Sequence, residues 1–277
     1  MTARTTARAE SAGLHIENLV VRFGGVTAVN HLTMHAPIGS VTGLIGPNGA
    51  GKTTTFNACS GANSPSEGKI TFDGHDLSGA PASARAKFGI GRTFQRIELY
   101  DSLTVAENVA LGREARLAGV SPITQLIPRR GERAAIAKAT EEAMAQCGIT
   151  EVAKARAGRL STGQRRLVEL ARALAGDFRL LLLDEPSSGL DATESDAFTT
   201  LLKSVVAELG IGILIVEHDM TVISGLCDYA YVLDFGQLLF EGLPNDVLTS
   251  DLVRKAYLGT EDLGIHAPDD EIVEANA

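Results

Sequence analysis

A chain of 277 residues with 44% hydrophobic content and a net charge of −9 carries enough apolar material for one large α/β domain, or for a core domain with a smaller subdomain. No run approaches the roughly 18 consecutive apolar residues of a membrane span, and the acidic balance argues against a general nucleic-acid-coating surface. Cys59, Cys147 and Cys227 are far apart and in no metal spacing, which fits reduced thiols. Residues 1–13 hold Arg4 and Arg8 but no apolar segment, so they read as a flexible lead rather than a secretory signal, and the chain is expected in the cytoplasm.

Residues 14–23 and 28–36 alternate apolar and β-branched side chains about Gly24-Gly25, which predicts a β-hairpin. The apolar run 40–45 then leads into Gly46, Pro47, Asn48, Gly49, Ala50, Gly51, Lys52, Thr53 and Thr54, a fit to G-x-x-x-x-G-K-[ST]. In such a loop the glycines let successive N–H groups turn inward, and the helix starting near Lys52 adds its positive N-terminal end. A polyphosphate is the expected guest. Lys52 is expected to reach its β- and γ-phosphates, and the Thr53 hydroxyl to sit on a magnesium ion bridging the same oxygens. A helix over 52–60 should end at Gly61. A strand over 68–72, a turn at Gly74-His75-Asp76 and a strand over 90–94 running into Gln95 follow.

From residue 99 to about 158 the pattern becomes helical, with helices over 105–111 and 134–147 and a loop holding Pro122, Pro128, Arg129 and Arg130. This interruption reads as an inserted helical subdomain. Residues 160–176 form an amphipathic helix with Leu167, Leu170, Ala171 and Leu174 at helical spacing. The stretch 178–186 contains four consecutive leucines, the mark of a strand buried on both faces. A helix over 192–209 and strands over 211–216 and 228–233 complete an alternation that predicts a mostly parallel sheet wrapped by helices. Residues 261–277 hold six acids and neither Lys nor Arg, leaving −3 for the rest, and read as a solvated tail.

The chemistry-bearing residues beyond the loop are Asp184 and Glu185, which follow the leucine run. Acids at a buried strand's end seldom lack a role. Asp184 is expected to hold magnesium through water, and Glu185 to orient and deprotonate an attacking water. His218 follows another apolar strand, where it contacts the γ-phosphate or merely closes the strand as a polar residue.

Together these pieces resemble the nucleotide-binding subunit of ABC transporters over residues of about 14–259. The residues that carry the likeness are LSTGQ, 160–164, shortly before the acid-bearing strand; the family usually has LSGGQ, so the chain departs at Thr162 and keeps Ser161, Gly163 and Gln164. The resemblance implies a P-loop NTPase of the ABC ATPase type: an α/β fold with a mostly parallel core sheet, an antiparallel β subdomain and a helical subdomain of about 96–175 inserted in the core. Residues 1–13 and 260–277 would flank it as a flexible N-terminus and an acidic tail. The implied cofactors are ATP and Mg2+. By the same likeness Phe23 stacks on adenine, Gln95 senses magnesium and the lytic water, and Ser188-Gly189-Leu190-Asp191 is the D-loop. His218 is the switch histidine. Ser161 and Gly163 would contact the γ-phosphate held by the opposite subunit, in a head-to-tail dimer with a copy or a paralogue.

Three segments, 92–109, 126–139 and 232–259, look like the ATPases of branched-chain amino acid importers, a group that also holds urea and short-chain amide importers. In that group two ATPases sit beneath membrane subunits, fed by a soluble substrate-binding protein. That places the chain on the inner face of the cell membrane, with no nucleic acid as partner. The competing reading is a soluble ABC-type ATPase acting on the ribosome or DNA; such proteins typically carry two cassettes or long coiled-coil inserts, whereas this chain has one phosphate loop and no heptad run. A regulatory module that binds ATP without turnover is disfavoured by Glu185 and His218.

Overall fold

A computed structural model describes residues 12–93, 98–118 and 130–258. The N-terminal lead, Phe94 and Gln95, the prolines of the helical loop and the acidic tail lie outside the described residues. The chain begins with β1 (Gly13–Phe23), β2 (Val26–Pro37) and β3 (Val41–Ile45), then helix α1 (Lys52–Ser60), β4 (Glu67–Phe72), β5 (His75–Asp76), α2 (Ala82–Phe88) and β6 (Ile90–Arg92). Three longer helices follow, α3 (Val105–Ala118), α4 (Arg130–Gln146) and α5 (Thr162–Ala175). The rest comprises β7 (Leu180–Asp184), α6 (Ala192–Leu209), β8 (Gly212–Val216), α7 (Met220–Leu226), β9 (Tyr229–Asp234), β10 (Gln237–Gly242), α8 (Pro244–Thr249) and α9 (Asp251–Leu258).

The strands form two sheets. One is antiparallel and four-stranded in the order β2-β1-β4-β5; the other has six strands in the order β10-β9-β3-β8-β7-β6, parallel throughout except where β10 returns against β9. The leucine run behaves as its composition predicts. Leu180 and Leu182 join the core shared with the antiparallel sheet and α1, while Leu181 and Leu183 join the core built on α5, α6 and α7. β8 divides in the same way, Leu214 and Val216 on one face and Ile213 and Ile215 on the other. Both faces are therefore apolar, and the polar groups of these strands are concentrated at their ends.

Departures from the sequence expectation fall on short or half-exposed elements. His75 and Asp76 form β5, and the turn sits one step earlier at Asp73-Gly74, both with positive φ. Helices α2, α7, α8 and α9 and the edge strand β10 have six to eight residues each, too few for a periodic pattern to stand out. In α5 the expected positions all face one core, Leu170 and Ala171 buried and Leu167 and Leu174 half-buried against it, but Arg166 and Glu169 are buried as well, as an ion pair at 3.1 Å.

A further charged residue in the interior, Arg85, holds α1 in place. Arg85 of α2 is 1% exposed, and its guanidinium donates to the carbonyls of Ala58 and Cys59 in the last turn of α1, and to those of Leu77 and Ala80, at 2.6–2.9 Å. Ala58 O and Leu77 O also accept from the backbone N–H groups of Gly61 and Ala80, so the guanidinium adds a donor to these two while serving the Cys59 and Ala80 carbonyls with the same planar fork of five donors. Replacing Arg85 by Met takes the guanidinium donors from the Cys59 and Ala80 carbonyls and one donor each from Ala58 O and Leu77 O, and should lower unfolding free energy by about 3 kcal/mol. Urea unfolding should show this as an earlier midpoint at unchanged slope. A midpoint equal to wild type would contradict the assignment.

Candidate functional site

β3 is entirely buried and ends at Gly46, where φ turns to 146°. A Cβ there would lie 2.2 Å from the Leu233 carbonyl oxygen of β9, so only glycine lets the chain leave the sheet at this point. Pro47 and Ala50 are buried and Asn48 and Gly49 form the exposed tip, with Ala50 N–H donating to Pro47 O at 3.1 Å. Gly51, at φ 98°, is the N-cap of α1 and passes under Ala28, whose carbonyl oxygen a Cβ would meet at 2.6 Å. The first turn of α1 has no side-chain cap and no acidic residue. Its N–H groups and its positive end therefore face the loop uncompensated, the arrangement that suits an anion.

Lys52 is 8% exposed and arches back over the loop, its ammonium donating to Gly46 O at 2.6 Å and Pro47 O at 3.0 Å. Burial lowers its pKa, and the nearby carboxylates of Glu185 and Asp184 oppose that shift. Thr53 is exposed at the same helix start and Thr54 half-buried. Across the sheet, β7 delivers Asp184 in register with Val216 of β8. Asp184 is 4% exposed, and its pKa is raised by burial, which outweighs the guanidinium of Arg92 at 3.4 Å. Arg92 also donates to Asn57 Oδ1 at 2.7 Å and Ser60 Oγ at 2.9 Å and lies over the Phe56 ring, so it joins α1 to the end of β7.

Glu185 adopts a left-handed backbone, φ 46°, held by its N–H on Val216 O at 2.9 Å. Such a conformation is unfavourable for a residue with a Cβ and marks a place where the surrounding structure dictates the direction of a side chain. His218 is exposed beyond β8, preceded by Glu217, which is completely buried. Phe23 closes β1 and is 52% exposed, an aromatic face open to solvent on the hairpin edge. Gln95 lies outside the described residues.

The LSTGQ segment begins α5. Ser161 is its N-cap, with Ser161 Oγ accepting from Gln164 N and Gln164 Oε1 accepting from Ser161 N, both at 3.2 Å. This capping box leaves the Ser161 hydroxyl proton and the Gln164 amide donors available outward. Gly163 packs against Glu194 of α6, where a Cβ would stand 2.4 Å from the carboxylate. Thr162 is exposed. The sequence departure therefore falls on a position with room for a side chain, and glycine is kept at the crowded one.

The family described as ABC transporter matches residues 29–188, a span that holds the phosphate loop, LSTGQ and Asp184-Glu185. The chain belongs to the ABC transporter ATP-binding family. It is 36% identical over 251 residues to the high-affinity branched-chain amino acid transport ATP-binding protein BraF of Pseudomonas aeruginosa, covering 89% of this chain and 97% of that one. It is 34% identical over 249 residues to LivG of Escherichia coli K12, a protein of the same description, with the same coverage. Among solved structures, the ADP conformation of an ABC transporter cassette superposes with a TM-score of 0.79 at 31% identity, covering 90% of this chain and 99% of that one. A nucleotide-free cassette gives 0.78 at 29% identity, over 89% and 98%.

As an ABC ATPase the chain binds and hydrolyses ATP, and the loop, the acid pair and the histidine-bearing strand end occupy neighbouring strands β3, β7 and β8 of one sheet. Sequence reasoning overlooked Arg92 and Glu217. The signal for Glu217 was present: an acid after the apolar run of β8 repeats the pattern that singled out Asp184-Glu185. Arg92 had none, because its partners Asn57 and Asp184 lie 35 and 92 residues away. Lys52→Ala should remove the only side-chain cation that arches over the loop among the described residues, and titration with a fluorescent ATP analogue should then show no saturable binding. Unchanged affinity would mean that this loop is not the site.

Proposed function

We propose that the chain hydrolyses ATP to power import of branched-chain amino acids or related small amides through an ABC transporter. The observation that carries this reading is the similarity to BraF and LivG across 97% of their lengths, in proteins named for that transport. It favours a transporter over an ATPase acting on the ribosome or DNA. No helix among the described residues is long and apolar enough to cross a membrane, so the reading requires separate membrane subunits, with the chain peripheral on the cytoplasmic face. A binding protein would deliver the substrate on the other side. Residues 14–259 act as one ATPase unit, with the helical part of about 96–175 inserted in it and the terminal segments outside it.

In this mechanism the phosphate loop and the uncapped start of α1 cradle the polyphosphate, and Lys52 turns from its carbonyl partners to the β- and γ-phosphates. Phe23 takes the adenine face. Thr53 and Asp184 fit a magnesium ion, which supplies charge neutralisation between phosphates; one hydroxyl and one acid suit a metal that keeps waters and phosphate oxygens as its other ligands. By the family likeness Gln95 would sense the magnesium ion and the lytic water. Glu185 accepts a proton from that water as its oxygen bonds to the γ-phosphorus and the bond to the bridging oxygen of ADP breaks. His218 steadies the γ-phosphate. Ser161, Gly163 and Gln164, at the start of α5, would meet the nucleotide of a second ATPase subunit, copy or paralogue, in a head-to-tail dimer.

Glu185→Gln should slow turnover on the order of 10²- to 10⁴-fold, because the amide cannot accept the water's proton. Binding should persist, and removing a negative charge beside the γ-phosphate should favour a closed ATP-bound dimer, visible by size-exclusion chromatography with ATP and absent with ADP. Hydrolysis at the wild-type rate would remove Glu185 from the base role. Purification from native membranes in mild detergent should bring membrane subunits with the chain; recovery with ribosomes or nucleoid instead would overturn the transporter reading.

A further inference from the structure

The most deeply buried carboxylate near the site has no part in the mechanism above. Glu217 follows β8, is 0% exposed, and uses both oxygens. Oε1 accepts from Ser187 N at 3.0 Å and from Ser187 Oγ at 2.6 Å, and Oε2 accepts from the backbone N–H of His218 at 3.3 Å. Three donors converging on one side chain call for an acceptor-only group with two oxygens, which a carboxylate provides. A buried carboxylate is costly to keep without such donors.

Ser187 lies inside the segment that carries the proposed base. Glu185 holds its left-handed turn through Val216 O, Ser188 N–H donates back to Glu185 O at 3.1 Å, and Leu190 N–H donates to Ser187 O at 3.1 Å. Ser188 O accepts from Arg166 Nη2 of α5 at 3.2 Å, which joins the same segment to the helix that begins at Ser161. Residues 185–190 are thus a self-bonded turn attached to β8 at two points, one of them the Glu217 carboxylate. The other oxygen of that carboxylate holds His218.

We propose that Glu217 is a positioning residue that fixes His218 and the Glu185-bearing segment in one relation, so that the general base and the γ-phosphate contact are set by a single buried group. This rests on the role given above to His218. The purified full chain would be assayed for ATP hydrolysis as wild type, Glu217→Gln, His218→Ala and the double variant. In Glu217→Gln the amide oxygen can still accept from Ser187, but the amide nitrogen is a donor facing the His218 N–H. A displacement of this kind should lower kcat about 10- to 100-fold. KM for ATP should stay within about threefold, because the phosphate loop and α1 are not touched. On His218→Ala, the same change should reduce kcat further by a smaller factor than in the wild type, about three- to tenfold, since one of the two groups it positions is gone while the Glu185 segment still loses its anchor.

Wild-type turnover by His218→Ala would overturn the role of His218 and this proposal with it. A slow His218→Ala beside a wild-type-like Glu217→Gln, or losses that multiply in the double variant, would overturn the proposal alone. Ser187→Ala, which loses only the hydroxyl bond, gives a milder second probe should the Gln variant not fold. It should lower kcat about three- to tenfold and speed amide exchange in peptides covering 185–191 while leaving 46–60 unchanged. Unaltered rate and exchange would contradict the proposal.

Discussion

The nucleotide site depends on a close approach between two neighbouring strands of the parallel sheet. Where β3 ends, the Gly46 backbone runs so near the Leu233 carbonyl of β9 that no side chain fits. The following turn of β9 and β10 is bound to the same loop, with Gly236 N–H donating to Ala50 O at 3.0 Å and Asn30 N–H donating to Gly236 O at 2.8 Å. The loop is therefore clamped from both sides by backbone, and the start of α1 has one permitted direction. Arg85 secures the other end of that helix through the Ala58 and Cys59 carbonyls. Rigid placement at both ends suits the proposed role of this row of N–H groups as a phosphate cradle that need not reorganise when the ligand arrives.

The sheet order then brings the acids to the cradle. β3 lies beside β8, and β8 beside β7, so the ends of three strands meet although they are far apart in sequence. Burial on both faces leaves Asp184 and Glu217 as charged groups at the rim of an apolar interior, where burial raises the pKa of each. Each is met by a specific partner, Arg92 for Asp184 and Ser187 for Glu217. The left-handed turn at Glu185 breaks the strand alternation and sends its side chain off the pleat. Local strain, supported by rigid strands, sets the direction of the proposed general base.

How much of this was legible in the sequence depends on the range of the interaction. The phosphate loop, the hairpin about Gly24-Gly25 and the helix ending at Gly61 are local patterns, and they stand where composition placed them, with Gly61 at φ 80°. The four leucines announced a doubly buried strand because nothing else tolerates such a run. Arg85, Arg92 and Arg166 were illegible, since charged residues at helical or strand spacing read as solvent-facing until the fold supplies partners such as Ala58, Asp184 and Ser188. The amphipathic face of α5 stands as read, with Leu167, Leu170, Ala171 and Leu174 all against one core, but Arg166 and Glu169 are buried beside it as an ion pair that polarity alone did not reveal. The departure from the family motif at Thr162 falls on an exposed position. The retained Gly163 lies against the carboxylate end of the Glu194 side chain.

The most direct test of the account is calorimetric titration of Gly46→Ala with ATP, beside a thermal melt of the same protein. A Cβ at this position meets the Leu233 carbonyl and forces the loop out of register with α1, so ATP affinity should fall by at least about tenfold, more than 1.4 kcal/mol, while a cooperative melting transition is retained. Wild-type affinity in a folded Gly46→Ala chain would contradict the claim that this backbone clamp builds the site.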